Sequence, residues 1–371
     1  MEIIITMSII CIGILLLMGQ MRTPILSQGG RPAEAWHYPT FLIILFACVL
    51  IFCSAFREGF QDTGVYKNLY TYIGTDFQNA FDEDFTIKDR GFNLLMVFLN
   101  RVNPDPQTLI VVASVFTTTV YVYVIAKHAS DTPFSLLLML CTVFIGTMNG
   151  IRQVMAGAIF TLGWTLLIKR KMIPLLLLVL FASTFHASAI ILVPLCFIIC
   201  GKRYNIGIWV FLAFVIFCFV SPSAAYNIMG DILEDSVYKD YLENESKMGI
   251  MRLLVELVPV LISFLYHRLA PRPANGSLSA QQRMVDILIN MQLISFGFTV
   301  LGLQMVYFAR ISMYFSLVLP LLLPETIKGV FVPESAKDVK RITIAMYLFY
   351  YAYQIYTYEM LDGWGGMEFI F

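Results

Sequence analysis

Apolar residues recur along this chain in runs of helical length, near 3–18, 39–56, 107–126, 134–151, 152–168, 172–185, 186–200, 206–221, 252–268, 284–303, 308–324 and 341–357. Runs of this kind, separated by polar stretches, predict about twelve transmembrane helices. Several are shorter than the roughly 20 residues that a full crossing takes. The pairs 134–168 and 172–200 therefore read as hairpins whose tips dip below the membrane surface. Two polar stretches are long. The first, 57–106, holds an apolar segment at 91–101 that is too short to cross and reads as an interfacial or re-entrant amphipathic helix. The "NPDP" at 103–106 ends it. The second, 221–251, is acidic and is expected to be partly helical, and 270–283 reads as a flexible connector. No tandem repeat and no separate soluble domain is legible, so residues 1–371 read as one integral membrane domain. The run 3–18 lacks a preceding basic stretch and a small-residue cleavage site, and is expected to be a retained helix rather than a signal peptide.

Composition agrees with the pattern. The chain is 58% hydrophobic and 13% charged, whereas soluble domains carry about 25% charge. Mean hydropathy is +0.76. The fold class expected is an all-α polytopic membrane protein. The formal net charge is zero, and no basic stripe interleaved with aromatics points to nucleic acid. The seven cysteines fall in or at the ends of apolar runs and form no CxxC pair or zinc-spaced His/Cys cluster. They read as small buried side chains, with no metal and no cofactor implied.

Basic residues orient the helices. With Lys127, the "KRK" at 169–171, "GKR" at 201–203, Arg268 and "KDVKR" at 337–341 on the cytoplasmic side, both termini lie outside. Most carboxylates then fall on the outer face, in the loops 57–106 and 221–251.

Four outer-face features are candidates for chemistry. Arg152 and Gln153 stand at the head of a helix, where free N–H groups and the helix dipole favour an anion. An arginine adds a planar fork suited to phosphate. Taken alone, Arg152 reads equally as a cation snorkelling to headgroups. His186, in "STFHASAI" with Ser188, sits at a hairpin tip and fits a general base or phosphate ligand; alone, it fits a histidine capping a tight turn better. Arg310, with Tyr307 and Tyr314 a turn to either side, fits a third anion ligand or an aromatic belt with an interfacial cation. Asp62, Tyr66, Tyr70, Asp89 and Arg90 mix carboxylates with aromatics, as sugar sites do, although a solvated acidic loop is the plainer reading of the "DED" at 82–84. Together the four describe arginines and a histidine at the outer interface beneath a carboxylate- and aromatic-rich loop. That combination fits a lipid-anchored diphosphate bearing a sugar.

The order of motifs resembles the EpsG-type branch of the Wzy polysaccharide polymerases. The resembling residues are Asp62, Tyr66 and Tyr70, then "KDRGFNLL" at 88–95, and the N-x-x-R-Q motif at Asn149, Arg152 and Gln153. They continue with Ala182, Phe185, His186, Ser188 and Ala189, and end with Arg310, Tyr314 and Phe315. The likeness covers roughly 57–320 and departs at Arg90, where the family more usually carries a small residue or proline. It implies a GT-C-like membrane glycosyltransferase, working without a metal, that joins undecaprenyl-diphosphate-linked oligosaccharides into O-antigen, capsule or exopolysaccharide. The implied place is the outer face of the bacterial inner membrane, with a flippase and a chain-length regulator as partners. In that reading Arg152 and Arg310 stabilise the departing diphosphate, His186 binds it or acts as base, and Asp62 or Asp89 is the other candidate base. Tyr66, Tyr70, Arg90, Asn149, Gln153, Ser188, Tyr307 and Tyr314 are expected to line the substrate. Two other classes fit a chain of this kind: a lipid-linked oligosaccharide flippase or other twelve-helix transporter, and a membrane O-acyltransferase of surface sugars. A transporter expects charges deep in its spans, and Glu256, paired with Arg252 one turn away, is the residue nearest to that description.

Overall fold

The computed structural model describes residues 2–26, 32–82, 89–221, 249–270, 278–360 and 368–369. Most of the acidic loop 221–251, the centre of the connector 270–283 and part of the "DED" stretch lie outside the described residues. What is described is overwhelmingly helical. Four helices are long and apolar enough to cross a membrane: Glu2–Gln20, Gln107–His128, Ile250–Leu269 and Ala280–Gly302. A fifth crossing is made by Val306–Phe315 with Val318–Val330, if that bent pair counts as one span. Six further apolar helices, among them Thr132–Thr147, Ile151–Leu162, Met172–Phe185 and Ala187–Ile199, run to 10–17 residues. The chain is a polytopic helical membrane protein.

Three features differ from the sequence expectation. The run 308–324 is not one straight helix: its halves meet at 61°. Pro320 explains the restart, because a proline is tolerated in a helix's first turn, where no N–H partner is needed, and the second helix begins at Val318. Two small antiparallel ladders join the helices. Thr23–Leu26 pairs with Pro32–His37, and Arg57–Gly59 pairs with Glu368–Phe369. Finally, the segment 57–106 is more ordered than a loop. It holds the helix Thr63–Ile73, a tight turn Phe77–Phe81 and the helix Arg90–Val102.

Burial follows the solvent the helices meet. Ala280–Gly302 runs through the centre, with Asp286, Asn290, Gln292 and Thr299 all buried along it. Ile206–Val220 instead leaves Ile206, Trp209, Val210, Ile216 and Val220 exposed, as a helix facing hydrocarbon does.

The segment 57–106 forms its own small core. Tyr66, Tyr70, Phe92, Met96 and Val97 pack onto Leu109 and Ile110 at the head of Gln107–His128, and onto Ile151 and Met155 at the head of Ile151–Leu162. The loop helices are fastened by side chains reaching backbone. Asn100 Nδ2 donates to Tyr70 O at 2.7 Å, and the Tyr70 hydroxyl donates to Asn103 O at 2.7 Å. Gln107 Nε2 donates to Ala55 O at 2.6 Å and Arg57 O at 3.1 Å. The amphipathic segment at 91–101 is thus a helix as expected, and its apolar face is buried in protein.

Candidate functional site

Asp89 precedes the helix Arg90–Val102 and is 5% exposed. A buried carboxylate is costly unless its lone pairs are filled, and here they are. Oδ2 lies 2.5 Å from Arg152 Nη1 and 3.4 Å from His186 Nδ1. Oδ1 accepts from the Ala187 backbone N–H at 2.9 Å. One carboxylate therefore holds Arg152 and His186, two of the residues singled out in the sequence.

Glycine makes this possible. A Cβ on Gly91 would lie 2.2 Å from Thr184 Oγ1 and 2.8 Å from Thr184 Cβ. Only glycine lets the helix Arg90–Val102 come close enough to Met172–Phe185 for Asp89 to reach His186 and Ala187.

The second contact runs through Gly150, which adopts a left-handed conformation (φ 66°, ψ 49°) ahead of Ile151–Leu162. A residue with a Cβ is strained there. The turn aims the Gly150 N–H at Asp62 Oδ2, 2.8 Å away. Asn149 lies on the same turn. The other Asp62 oxygen, Oδ1, is buried and makes no hydrogen bond. Burial pushes the Asp62 carboxyl above the usual carboxylate range, and the Gly150 N–H, Arg57 and Arg310 pull it back in part.

Arg152 also donates Nε to the Tyr66 hydroxyl at 3.3 Å, and its guanidinium carbon lies 6.0 Å from that ring's centre. Tyr66 is 5% exposed and packs edge-on against Phe92, with ring centres 5.8 Å apart. Gln153 Nε2 donates to the Arg310 carbonyl at 2.6 Å, which ties Val306–Ile311 to the head of Ile151–Leu162. Ser188 Oγ and the Tyr314 hydroxyl are 2.8 Å apart. A Cβ on Gly157 would lie 3.8 Å from both Tyr314 Cδ1 and Met313 O, so Ile151–Leu162 and the turn Ser312–Phe315 are close neighbours. Arg310 is near enough to bias the charge of both Asp62 and His186.

Arg152, His186, Arg310, Asp62, Asp89, Tyr66, Gln153, Ser188 and Tyr314 thus come from four distant segments into one constellation. Tyr307, buried beside Phe308 and within electrostatic reach of Arg310, lies at its edge. Two candidates stand apart. Tyr70 is fully buried, with its hydroxyl spent on Asn103, so it holds the two loop helices together. Arg90 is exposed, its guanidinium 6.0 Å from the Phe81 ring.

Sequence reasoning missed Arg57. Its side chain is 1% exposed. It donates to Thr63 Oγ1 at 3.0 Å, to Ser114 Oγ at 3.3 Å and to the Ser54 carbonyl. Burial lowers it to about 10, while Asp62 works to keep it charged. The signal was its place at the end of an apolar run, with Ser54 and Thr63 nearby as the only small hydroxyls. Three arginines and two carboxylates make the constellation net positive, with a histidine beside it. That balance suits an anion bearing hydroxyl groups.

The family model described as the EpsG family matches residues 40–365. The match begins at the second apolar helix and runs past every residue of the constellation. No curated protein and no solved structure matches the chain.

Proposed function

The chain belongs to the EpsG family, and from that premise we propose that it is a membrane polysaccharide polymerase. The reaction joins oligosaccharide repeat units, each carried on undecaprenyl diphosphate, at the outer face of a bacterial inner membrane. The shorter apolar helices complete about twelve crossings in a GT-C-like arrangement. The observation that carries the reading is Asp89, which fixes Arg152 and His186 around one buried carboxylate.

In the reaction the bond between the donor's anomeric carbon and the lipid diphosphate breaks. A glycosidic bond forms to a hydroxyl of the acceptor unit, and that hydroxyl loses its proton. Arg152 and Arg310 take the negative charge that develops on the departing diphosphate. Preorganised cations shielded from water are worth most there. The geometry divides the carboxylates. Asp89 is committed to three protein partners, Arg152, His186 and the Ala187 N–H, so it positions. Asp62 keeps one oxygen without a partner, and its raised affinity for a proton suits a base. With Nδ1 of His186 turned to Asp89, chemistry toward substrate falls to Nε2, which fits a diphosphate ligand. No metal takes part in this scheme, and a flippase and a chain-length regulator are its expected partners.

Purified protein in lipid nanodiscs, supplied with lipid-linked repeat units, tests the proposal. A ladder of polymer lengths is expected. Sugars bearing a new acyl group, or no product at all, would replace this reading with the acyltransferase or the transporter.

A further inference from the structure

A second polar cluster lies outside the constellation. The helix Ile250–Leu269 carries Pro259 in its interior. Proline offers no N–H to the carbonyl four residues earlier and pushes that carbonyl aside. That carbonyl belongs to Val255, and the Tyr347 hydroxyl donates to it at 3.0 Å. The neighbouring carbonyl, of Glu256, accepts from Gln292 Nε2 at 3.4 Å. Where the helix is opened in this way, a cleft lies against it. Arg252, Glu256, Gln292, Ser295 and Ser312 form its polar wall, and Val255 and Leu319 give it apolar surface.

The wall is electrically balanced. Arg252 Nε is 3.5 Å from Glu256 Oε1, so the two charges offset. Arg252 Nη2 donates to Ser312 Oγ at 2.6 Å, and Ser295 Oγ donates to Glu256 Oε2 at 3.1 Å. Donors and acceptors alternate at hydrogen-bond spacing, with no net charge to attract an anion. A ring of hydroxyls, each both donor and acceptor, matches such a wall. Polar groups this dense are expensive in a membrane protein and mark function by default. The cleft is also coupled to the first site. Ser312 lies two residues beyond Arg310, in the same turn as Tyr314, which meets Ser188.

We propose that this cleft, of about 50 Å³, is a carbohydrate site that takes the hydroxyl-bearing edge of an uncharged sugar of the acceptor unit next to the diphosphate site. The inference rests on the polymerase reading, because a polymerase must hold two lipid-linked chains together and the arginine constellation serves one diphosphate. Glu256 accepts from sugar hydroxyls, Arg252 and Gln292 donate to them, and the apolar surface meets the sugar's C–H face.

The test uses the full chain in nanodiscs. The probe is the soluble oligosaccharide repeat unit, freed from its lipid and diphosphate by mild acid and titrated by calorimetry. Wild type and Arg152→Ala are expected to bind it alike, while Glu256→Gln and Gln292→Ala weaken binding about tenfold, the size of a lost hydrogen bond to a charged or fixed partner. Ser316 also lines the cleft, and Ser316→Leu narrows it without altering the Arg252–Glu256 pair; it is expected to weaken binding with the melting temperature unchanged. Probe binding as strong as wild type in both Glu256→Gln and Ser316→Leu, or no binding by wild type, overturns the sugar cleft. A polymer ladder is assayed on the same wild-type preparation. A ladder with binding unmoved by the variants sinks the cleft alone. Probe binding that responds to the variants, with no ladder, sinks the polymerase reading and leaves a carbohydrate site.

Discussion

Asp89 holds Arg152 across 63 positions of sequence, carboxylate oxygen to guanidinium nitrogen at 2.5 Å. The same oxygen faces His186, and its partner oxygen takes the Ala187 N–H. The helix that starts after Asp89 and the hairpin tip at His186 are thereby fixed to the head of Ile151–Leu162. Asp89→Asn keeps the shape and removes the charge. It is expected to lower polymer formation about a hundredfold by releasing Arg152 and His186. It should also cost roughly 2–3 kcal/mol of stability, below the full value for a buried pair because Arg152 is partly exposed. Thermal unfolding and a polymerisation assay on one preparation check both.

Gly91 sets how closely two helices approach. Gly91→Ala places a methyl group 2.2 Å from Thr184 Oγ1, so the helix Arg90–Val102 must move outward and take Asp89 with it. Activity is expected to fall about tenfold or more, because catalytic placement tolerates less than about 1 Å of error. Thr184→Ala in the same chain removes the atom nearest the clash and should restore part of the loss. A double variant no better than Gly91→Ala would show that the close approach is not what Gly91 supplies.

Asp62 predicts a pH profile. Its carboxyl binds a proton more tightly in the folded protein than in the unfolded chain, whose ordinary value is 3.8. The stabilising protonated form is therefore fully present below that value, and its contribution is lost as pH rises through the raised folded value. Activity runs the opposite way, since a base must be ionised. The acidic limb of the rate profile is expected above the ordinary carboxylate range. Asp62→Asn should abolish turnover while holding or raising the melting temperature at neutral pH. An acidic limb that stays unchanged in an active Asp62→Asn protein removes Asp62 as the base.

Much of the site was legible because its two arginines and its histidine were conspicuous. Arg152, His186 and Arg310 each interrupt apolar sequence, where charge is costly, and all three meet in the fold. The work of Asp89 was harder to read. It depends on a helix-to-helix distance set by Gly91 and Thr184, which lie 93 positions apart in sequence and carry no local signal of contact. Tyr70 stands with Tyr66 among the aromatics and carboxylates of one loop, yet the two hydroxyls have different fates, one at Arg152 and one at Asn103. Arg57 escaped notice because a charge at the end of an apolar run usually faces water, and its burial depends on Ser114 from another helix. The bend between Val306–Phe315 and Val318–Val330 was encoded by Pro320, but an unbroken apolar run conceals a helix restart.

Pro259 and Tyr347 form a compensating pair. Tyr347→Phe leaves the Val255 carbonyl without its donor in a site where Tyr347 is 1% exposed. A loss of about 1–3 kcal/mol is expected, the cost of one buried unsatisfied carbonyl. Pro259→Ala returns a backbone N–H to that carbonyl and should offset most of the Tyr347→Phe loss when the two are combined. Additive losses in the double variant, read by thermal unfolding, would contradict the pairing.

In the proposed reaction Arg152 stabilises a diphosphate leaving group rather than anchoring a helix to headgroups. The most direct measurement is the length distribution of lipid-linked saccharide made by Arg152→Ala, expressed and folded to the wild-type level. Single repeat units are expected to accumulate on the lipid carrier with no polymer. Normal long-chain polymer from that variant would contradict it.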